Sequence, residues 1–167
     1  MPLQAEGEFA LVKSKLEPAL ELSGQPVKRG TMAHEHIVYM MLVDSAAITR
    51  DQAAILKYAP ILEELSTRDN HQPYLAIACR AFGVAHRLAE DYELAESKLH
   101  QALEIFGELE MPWQRGRTFH ELGELAQLRG DLDLTRQLFI QALDEFEKIQ
   151  AIPDLEKTKV IFEKILE

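Results

Sequence analysis

Ser97-Lys98-Leu99-His100-Gln101-Ala102-Leu103-Glu104 has three gapless counterparts in the chain. They are Ser14-Lys15-Leu16-Glu17-Pro18-Ala19-Leu20-Glu21, Leu56-Lys57-Tyr58-Ala59-Pro60-Ile61-Leu62-Glu63 and Gln137-Leu138-Phe139-Ile140-Gln141-Ala142-Leu143-Asp144. In chain order, corresponding residues lie 42, 41 and 40 positions apart. One column holds Leu16, Tyr58, Leu99 and Phe139, the next Ala19, Ile61, Ala102 and Ala142, and the third Leu20, Leu62, Leu103 and Leu143. The columns are three and one positions apart, which places all three on one apolar stripe of a helix.

A second helix is expected ahead of each of the last three segments. Tyr74 to Ala89 and Gln114 to Arg129 share a pattern, with Phe82-Gly83 answering Leu122-Gly123. The earliest such helix runs from about Met32 to Ile48, with Leu42 or Val43 in the glycine position. Glu90-Asp91 and Gly130-Asp131 mark short turns inside the hairpins. Longer loops carrying Pro73, Pro112 and Pro153 are expected between them, since proline suits helix entry. The first unit has only its second helix, Glu8 to Ser23, so the chain is expected to start mid-unit or on a capping helix. Pro18 and Pro60 fall inside helices and are expected to bend them. Asp154 to Glu167 reads as an amphipathic helix covering the last repeat.

This organisation resembles the tetratricopeptide repeat, whose pattern is a Trp, Leu-Gly, Tyr, Ala, Phe, Pro series on two antiparallel helices. Cys79 and Phe119 stand at the Trp position, Phe82-Gly83 and Leu122-Gly123 at Leu-Gly, and His86 and Ala126 at Tyr. Ala95 and Thr135 stand at Ala, Leu99 and Phe139 at Phe, and Gly107 and Glu147 at Pro. The repeat is longer than the usual length of roughly 34 residues. In that respect it is similar to helical arrays of bacterial signalling ATPases and transcription regulators, which sense an inducer or dock a partner.

The expected fold is all-α: a right-handed solenoid of about three and a half repeats plus a C-terminal capping helix. The single domain divides into a half repeat or cap with linker over 1–30, repeats over 31–72, 73–112 and 113–153, and the capping helix over 154–167.

Composition narrows the function. Lys and Arg number 18 and Asp and Glu 28, so the net charge is −10. That opposes a nucleic-acid backbone or an anionic membrane as main partner. No apolar run approaches the ~20 residues of a membrane span. The start of the chain lacks the basic, then apolar, pattern of a secretory signal, and the single cysteine suits a reducing cytoplasm.

No catalytic, metal or cofactor residues emerge. His34 and His36, two apart on a helix, point about 200° apart and cannot easily share a metal. Cys79 and His86 are roughly 10 Å apart along one helix, too far for a thiolate–imidazole pair. Acidic residues gather in first turns or on solvent faces, and glycine-rich phosphate loops are absent. The expectation is a binding module, not an enzyme, with no cofactor.

In the resembled family, ligands are met by the first helix of each hairpin on the concave face. Carried over, that implies Ile77, Arg80, Val84, Arg87 and Leu88, then Arg117, His120, Glu124 and Gln127, with His36, Tyr39, Met40 and Val43 ahead of them. Arg80, Arg87 and Arg117 suit an acidic protein or peptide, and Tyr39 and Met40 an apolar pocket. The alternative is that these arginines pair with neighbouring acids and hold the solenoid together. The family's Lys and Asn clamp for a terminal carboxylate is not matched. A second functional reading is homodimerisation, through an apolar edge of Phe9, Leu11, Val12 and Leu16, or inducer sensing. Trp113 is expected in a loop, packing across a repeat junction.

Overall fold

The computed structural model describes residues 9–22 and 32–166. Glu8 and Ser23, the expected ends of the first helix, and the linker lie outside them. The described residues form eight helices and no strand: α1 (Phe9–Leu22), α2 (Met32–Ile48), α3 (Gln52–Arg68), α4 (Gln72–Leu88), α5 (Tyr92–Glu108), α6 (Pro112–Leu128), α7 (Leu132–Lys148) and α8 (Ile152–Leu166). None of them is long and apolar enough to cross a membrane.

From α2 to α7 each helix has 17 residues. Three residues join each to the next, so starts recur every 20 residues and hairpins every 40. The connections inside and between hairpins are therefore equal, and no longer loop separates the units. Pro112 is the first residue of α6, while Pro73 and Pro153 are the second residues of α4 and α8. Their missing N–H groups fall where a helix has no internal acceptor for them. Helices α1 and α3 continue through Pro18 and Pro60.

The turns share one hydrogen-bonding pattern. Arg50, Asn70, Glu90, Glu110, Gly130 and Gln150, spaced every 20 residues, all have positive φ. Around Glu90, the Glu90 N–H donates to Arg87 O at 3.1 Å and the Asp91 N–H to His86 O at 2.9 Å. This is the Schellman closure, which satisfies orphan carbonyls at a helix end. The other five turns repeat it, as in Asp51 N–H to Ala46 O at 2.9 Å and Met111 N–H to Phe106 O at 3.0 Å. The residue that closes one helix then opens the next. Asp51, Asp91 and Asp131 each accept the backbone N–H three residues on, a side-chain N-cap.

Stacking forms two layers, with odd-numbered helices in one and even-numbered in the other. Position by position at the 40-residue repeat, Ile55, Ala95 and Thr135 are buried, as are Ala59, Leu99 and Phe139, then Leu62, Ala102 and Ala142, then Ser66, Phe106 and Phe146. The sequence alignment across Leu56 is thus one residue out of step: Ala59, not Tyr58, matches Leu99. Ile61, placed with Ala102 by sequence, is only half-buried.

Opposite these columns, the even helices carry complementary sizes. A Cβ on Gly83 would come 2.5 Å from Leu99 Cγ, and one on Gly123 2.9 Å from Phe139 Cε2. The matching position of the first hairpin is Val43, where the facing column holds Ala59. One column further, a Cβ on Gly116 would lie 2.7 Å from Phe146 Cε1. Its equivalents are Ala76 and His36, facing columns occupied by Phe106 and Ser66. Bulk on one layer is thus matched by a small residue on the other at successive hairpins.

Candidate functional site

The even-numbered layer brings most of the sequence-predicted row together, but as a bonded charge network. Asp44 sits in α2 between Val43 and Ser45 and is 5% exposed. Its Oδ1 lies 2.8 Å from Nη2 of Arg80 on α4, and both of its oxygens are 3.0 Å from Arg117 nitrogens on α6. Arg80, 2% exposed, also donates to Gln114 Oε1 at 2.6 Å, and its guanidinium lies 5.3 Å from the Phe106 ring centre.

A second cluster adjoins it. Arg87 on α4 is 2.7 Å from Glu121 and also bonds Glu124, both on α6. Arg50, from the turn after α2, reaches over α4 to Glu121 at 2.8 Å and Glu124 at 2.7 Å. His120 completes the cluster, with Nε2 3.5 Å from Glu124 and Nδ1 3.1 Å from the Thr158 hydroxyl of α8.

The charges answer one another. Burial alone would raise the Asp44 pKa, but Arg117 and Arg80 more than offset it and hold the carboxyl below its ordinary range. Glu124 is lowered too, its burial outweighed by His120, Arg50 and Arg87. Arg50 is raised, with Glu121 and Glu124 overcoming its own burial. Arg80 is lowered to about 10 by burial and by the like charge of Arg117, and stays a cation at neutral pH.

The remaining predicted positions divide. Val84, Ile77 and Val43 are core residues, Leu88 and Gln127 are exposed, and His36 is buried with Nε2 3.0 Å from Asp69. Tyr39 and Met40 are half-buried against the core, Tyr39 with its ring centre 6.2 Å from that of Tyr58. Trp113 lies in the first turn of α6 rather than in a loop. Its indole N–H donates to Asp154 of α8 at 2.9 Å, and Arg117 lies 4.8 Å from its ring centre. Along the expected N-terminal edge, Val12 is buried and Leu16 packs on the core, so Leu11 remains as the exposed member.

Sequence reading missed Asp44, Arg50, Gln114 and Glu121. Asp44 carried a signal, because an acid inside the apolar run Leu42-Val43-Asp44-Ser45-Ala46 must find a cation. Arg50 carried none, since its reach across α4 exists only once the helices stack.

Cys79 is buried, and burial pushes its thiol up to about 11. Among the described residues, no group of three or more His, Cys, Asp or Glu could hold a metal ion. A cavity of about 260 Å³ opens between α1, α2 and α3, lined by Phe9, Lys13, Leu42, Ser45, Thr49 and Tyr58 among others.

No protein-family model matches the chain, and no curated protein matches it in sequence. Among solved structures it is similar to the crystal structure of BtubC (BKLC) from P. vanneervenii, with 18% identity and a TM-score of 0.69 over 98% of this chain and 67% of that one. At that identity, the likeness shows a shared all-helical stacked architecture.

Proposed function

We propose that this chain is a protein- or peptide-binding scaffold or regulatory module of the tetratricopeptide-repeat kind, working through a concave face built from the even-numbered helices. One observation carries the reading. That layer gathers Arg50, Arg80, Arg87 and Arg117 against Asp44, Glu121 and Glu124, four cations to three anions, in a chain of net charge −10. A locally positive face on an acidic protein favours an acidic partner and disfavours nucleic acid or a membrane. Arg80 and Arg87 are too buried to meet a ligand and serve as internal ties. Arg50, with its side chain 30% exposed, is the group a partner carboxylate would reach, and Tyr39 and Met40, half-buried on α2, would offer apolar contact. The reading assigns binding rather than catalysis, requires no cofactor, and places the work in the cytoplasm.

The test is fluorescence anisotropy with a labelled Glu/Leu peptide and an uncharged Gln/Leu peptide of the same length. The acidic peptide is expected to bind, and Arg50→Gln to weaken it about tenfold. Equal affinity for both peptides, or no response to the substitution, overturns the inner-face reading. Arg80, Arg87 and Arg117 are unsuitable targets, because removing a buried partner of Asp44, Glu121 or Glu124 would break the fold.

The cavity between α1 and α2–α3 favours a second reading, inducer sensing. A panel of small apolar acids and alcohols that raises Tm for the native chain, but not for Ala46→Leu, which fills the cavity from its lining, would support it. Light scattering over a hundredfold concentration range tests the homodimer alternative.

A further inference from the structure

Two turns of the array repeat a surface pattern that the inner face does not use. Leu88-Ala89-Glu90-Asp91-Tyr92-Glu93-Leu94 joins α4 to α5, and Leu128-Arg129-Gly130-Asp131-Leu132-Asp133-Leu134 joins α6 to α7. The two stretches are 40 residues apart, so they occupy equivalent places on the same rim of the solenoid. Leu88, Leu94, Leu128, Leu132 and Leu134 are all exposed, Leu128 by 58%. The equivalent stretch of the first hairpin, Ile48 to Ala54, is different: Ile48 is half-buried and Ala54 buried.

Arg129 ties the two turns together, with Nη2 3.0 Å from Glu93 and Nη1 2.7 Å from Glu96 at the start of α5. The five leucines therefore line one rim rather than two unrelated loops. Exposed apolar groups concentrated in this way mark an interaction surface.

Charge selects the occupant. The two stretches hold Glu90, Asp91, Glu93, Asp131 and Asp133 against Arg129 alone, five acids to one base, a net of −4. The Glu93 and Asp133 side chains are 91% and 100% exposed. A second copy of this acidic chain would bring like charge to the rim. A segment with apolar residues on one face and Lys or Arg beside them would cover the leucines and neutralise the acids.

We infer that the rim formed by the α4–α5 and α6–α7 turns is a docking site for a basic amphipathic segment of another protein. The site is separate from the inner face and does not depend on the reading given to it.

The experiment uses the full chain and a labelled helical peptide of about 18 residues, with Leu at i, i+3, i+4 and i+7 and Lys elsewhere. A permuted peptide of identical composition and charge is the control. The ordered peptide is expected to bind about tenfold more tightly than the permuted one, with Leu128→Ser plus Leu132→Ser erasing the difference. Glu93→Gln plus Asp133→Asn is expected to weaken binding and flatten its salt dependence. All four substituted side chains are exposed, and unchanged circular dichroism confirms the fold. Arg50→Gln leaves the rim affinity unaltered, and Leu128→Ser plus Leu132→Ser leaves acidic-peptide binding unaltered, so failure at either surface is read independently. Equal affinity for ordered and permuted peptides, or indifference to the leucine substitutions, overturns the proposal. So does a dimer in light scattering that the leucine substitutions dissolve.

Discussion

Asp44 and Arg117, 73 residues apart, meet through two contacts of 3.0 Å. Arg80 approaches the same carboxylate to 2.8 Å. One acid thus joins three successive helices of the even-numbered layer. Adding Asp44 to the dry interior costs desolvation energy, and its two guanidinium partners offset that cost only while all three are present.

Asp44→Asn is expected to cost about 3–5 kcal/mol, because it leaves Arg80 and Arg117 facing each other with no anion between them. Urea unfolding followed by circular dichroism measures it. Replacing all three groups with apolar residues of similar volume should recover most of the loss. A single substitution costing under about 1 kcal/mol would mean that the triad is solvated.

Acid should destabilise the native chain through the same carboxylates. Asp44 and Glu124 are held below the ordinary carboxylate range in the folded state. Between about pH 5 and 3 the unfolded chain takes up protons that the native chain does not, so the stabilisation present at neutral pH is lost as pH falls. The slope of unfolding free energy against pH should be shallower in Asp44→Asn than in the native chain. Equal slopes would remove Asp44 from the account.

Gly83→Ala and Gly107→Ala should act in opposite directions. The first puts a Cβ 2.5 Å from Leu99 Cγ and 3.2 Å from the Ala95 carbonyl, and the second meets nothing within 4 Å. Overpacking predicts a loss of about 1–3 kcal/mol for Gly83→Ala, and helix propensity a gain of about 0.4–1 kcal/mol for Gly107→Ala. Leu99→Ala should partly rescue Gly83→Ala in a double-mutant cycle.

Glu90 and Glu110 occupy left-handed backbone at φ 62° and 51°, where the equivalent turn before α7 has Gly130. Glu90→Gly and Glu110→Gly should each raise stability by about 0.5–1 kcal/mol, the relief of Cβ strain exceeding the added unfolded-state entropy. Thermal unfolding checks the sign.

Cys79 should resist alkylation at pH 8 in the native chain and react promptly in urea, since a thiol pushed up to about 11 carries little thiolate. Labelling that outruns global unfolding would show that α4 opens locally.

The apolar columns were legible where one residue per turn dominates, as at Leu99 and Ala102 between exposed or half-buried neighbours. In α3 both Tyr58 and Ala59 are buried, so the stripe is wide and the register slipped by one. The equal turns were hidden because five of the six left-handed positions lack glycine. Helix stacking holds those residues where local preference would not. The predicted arginines do gather, but their partners were not predicted: Asp44 and Glu121 are contributed by helices that sequence periodicity cannot place face to face.

Helical arrays usually flex like springs, because each unit touches only its immediate neighbours. Here Asp44–Arg117 and the reach of Arg50 to Glu121 and Glu124 act as struts from α2 to α6, spanning the helix between. Bending that stretch stretches a charged brace as well as a packed interface. The α7–α8 end is held to α6 by packing of Phe139 and Phe146 on Gly123 and Gly116, by Arg115–Glu145, and by the His120–Thr158 and Trp113–Asp154 contacts that pass over α7. The α2–α6 stretch thus resists changes of curvature as one beam, through its buried charges as well as its packing.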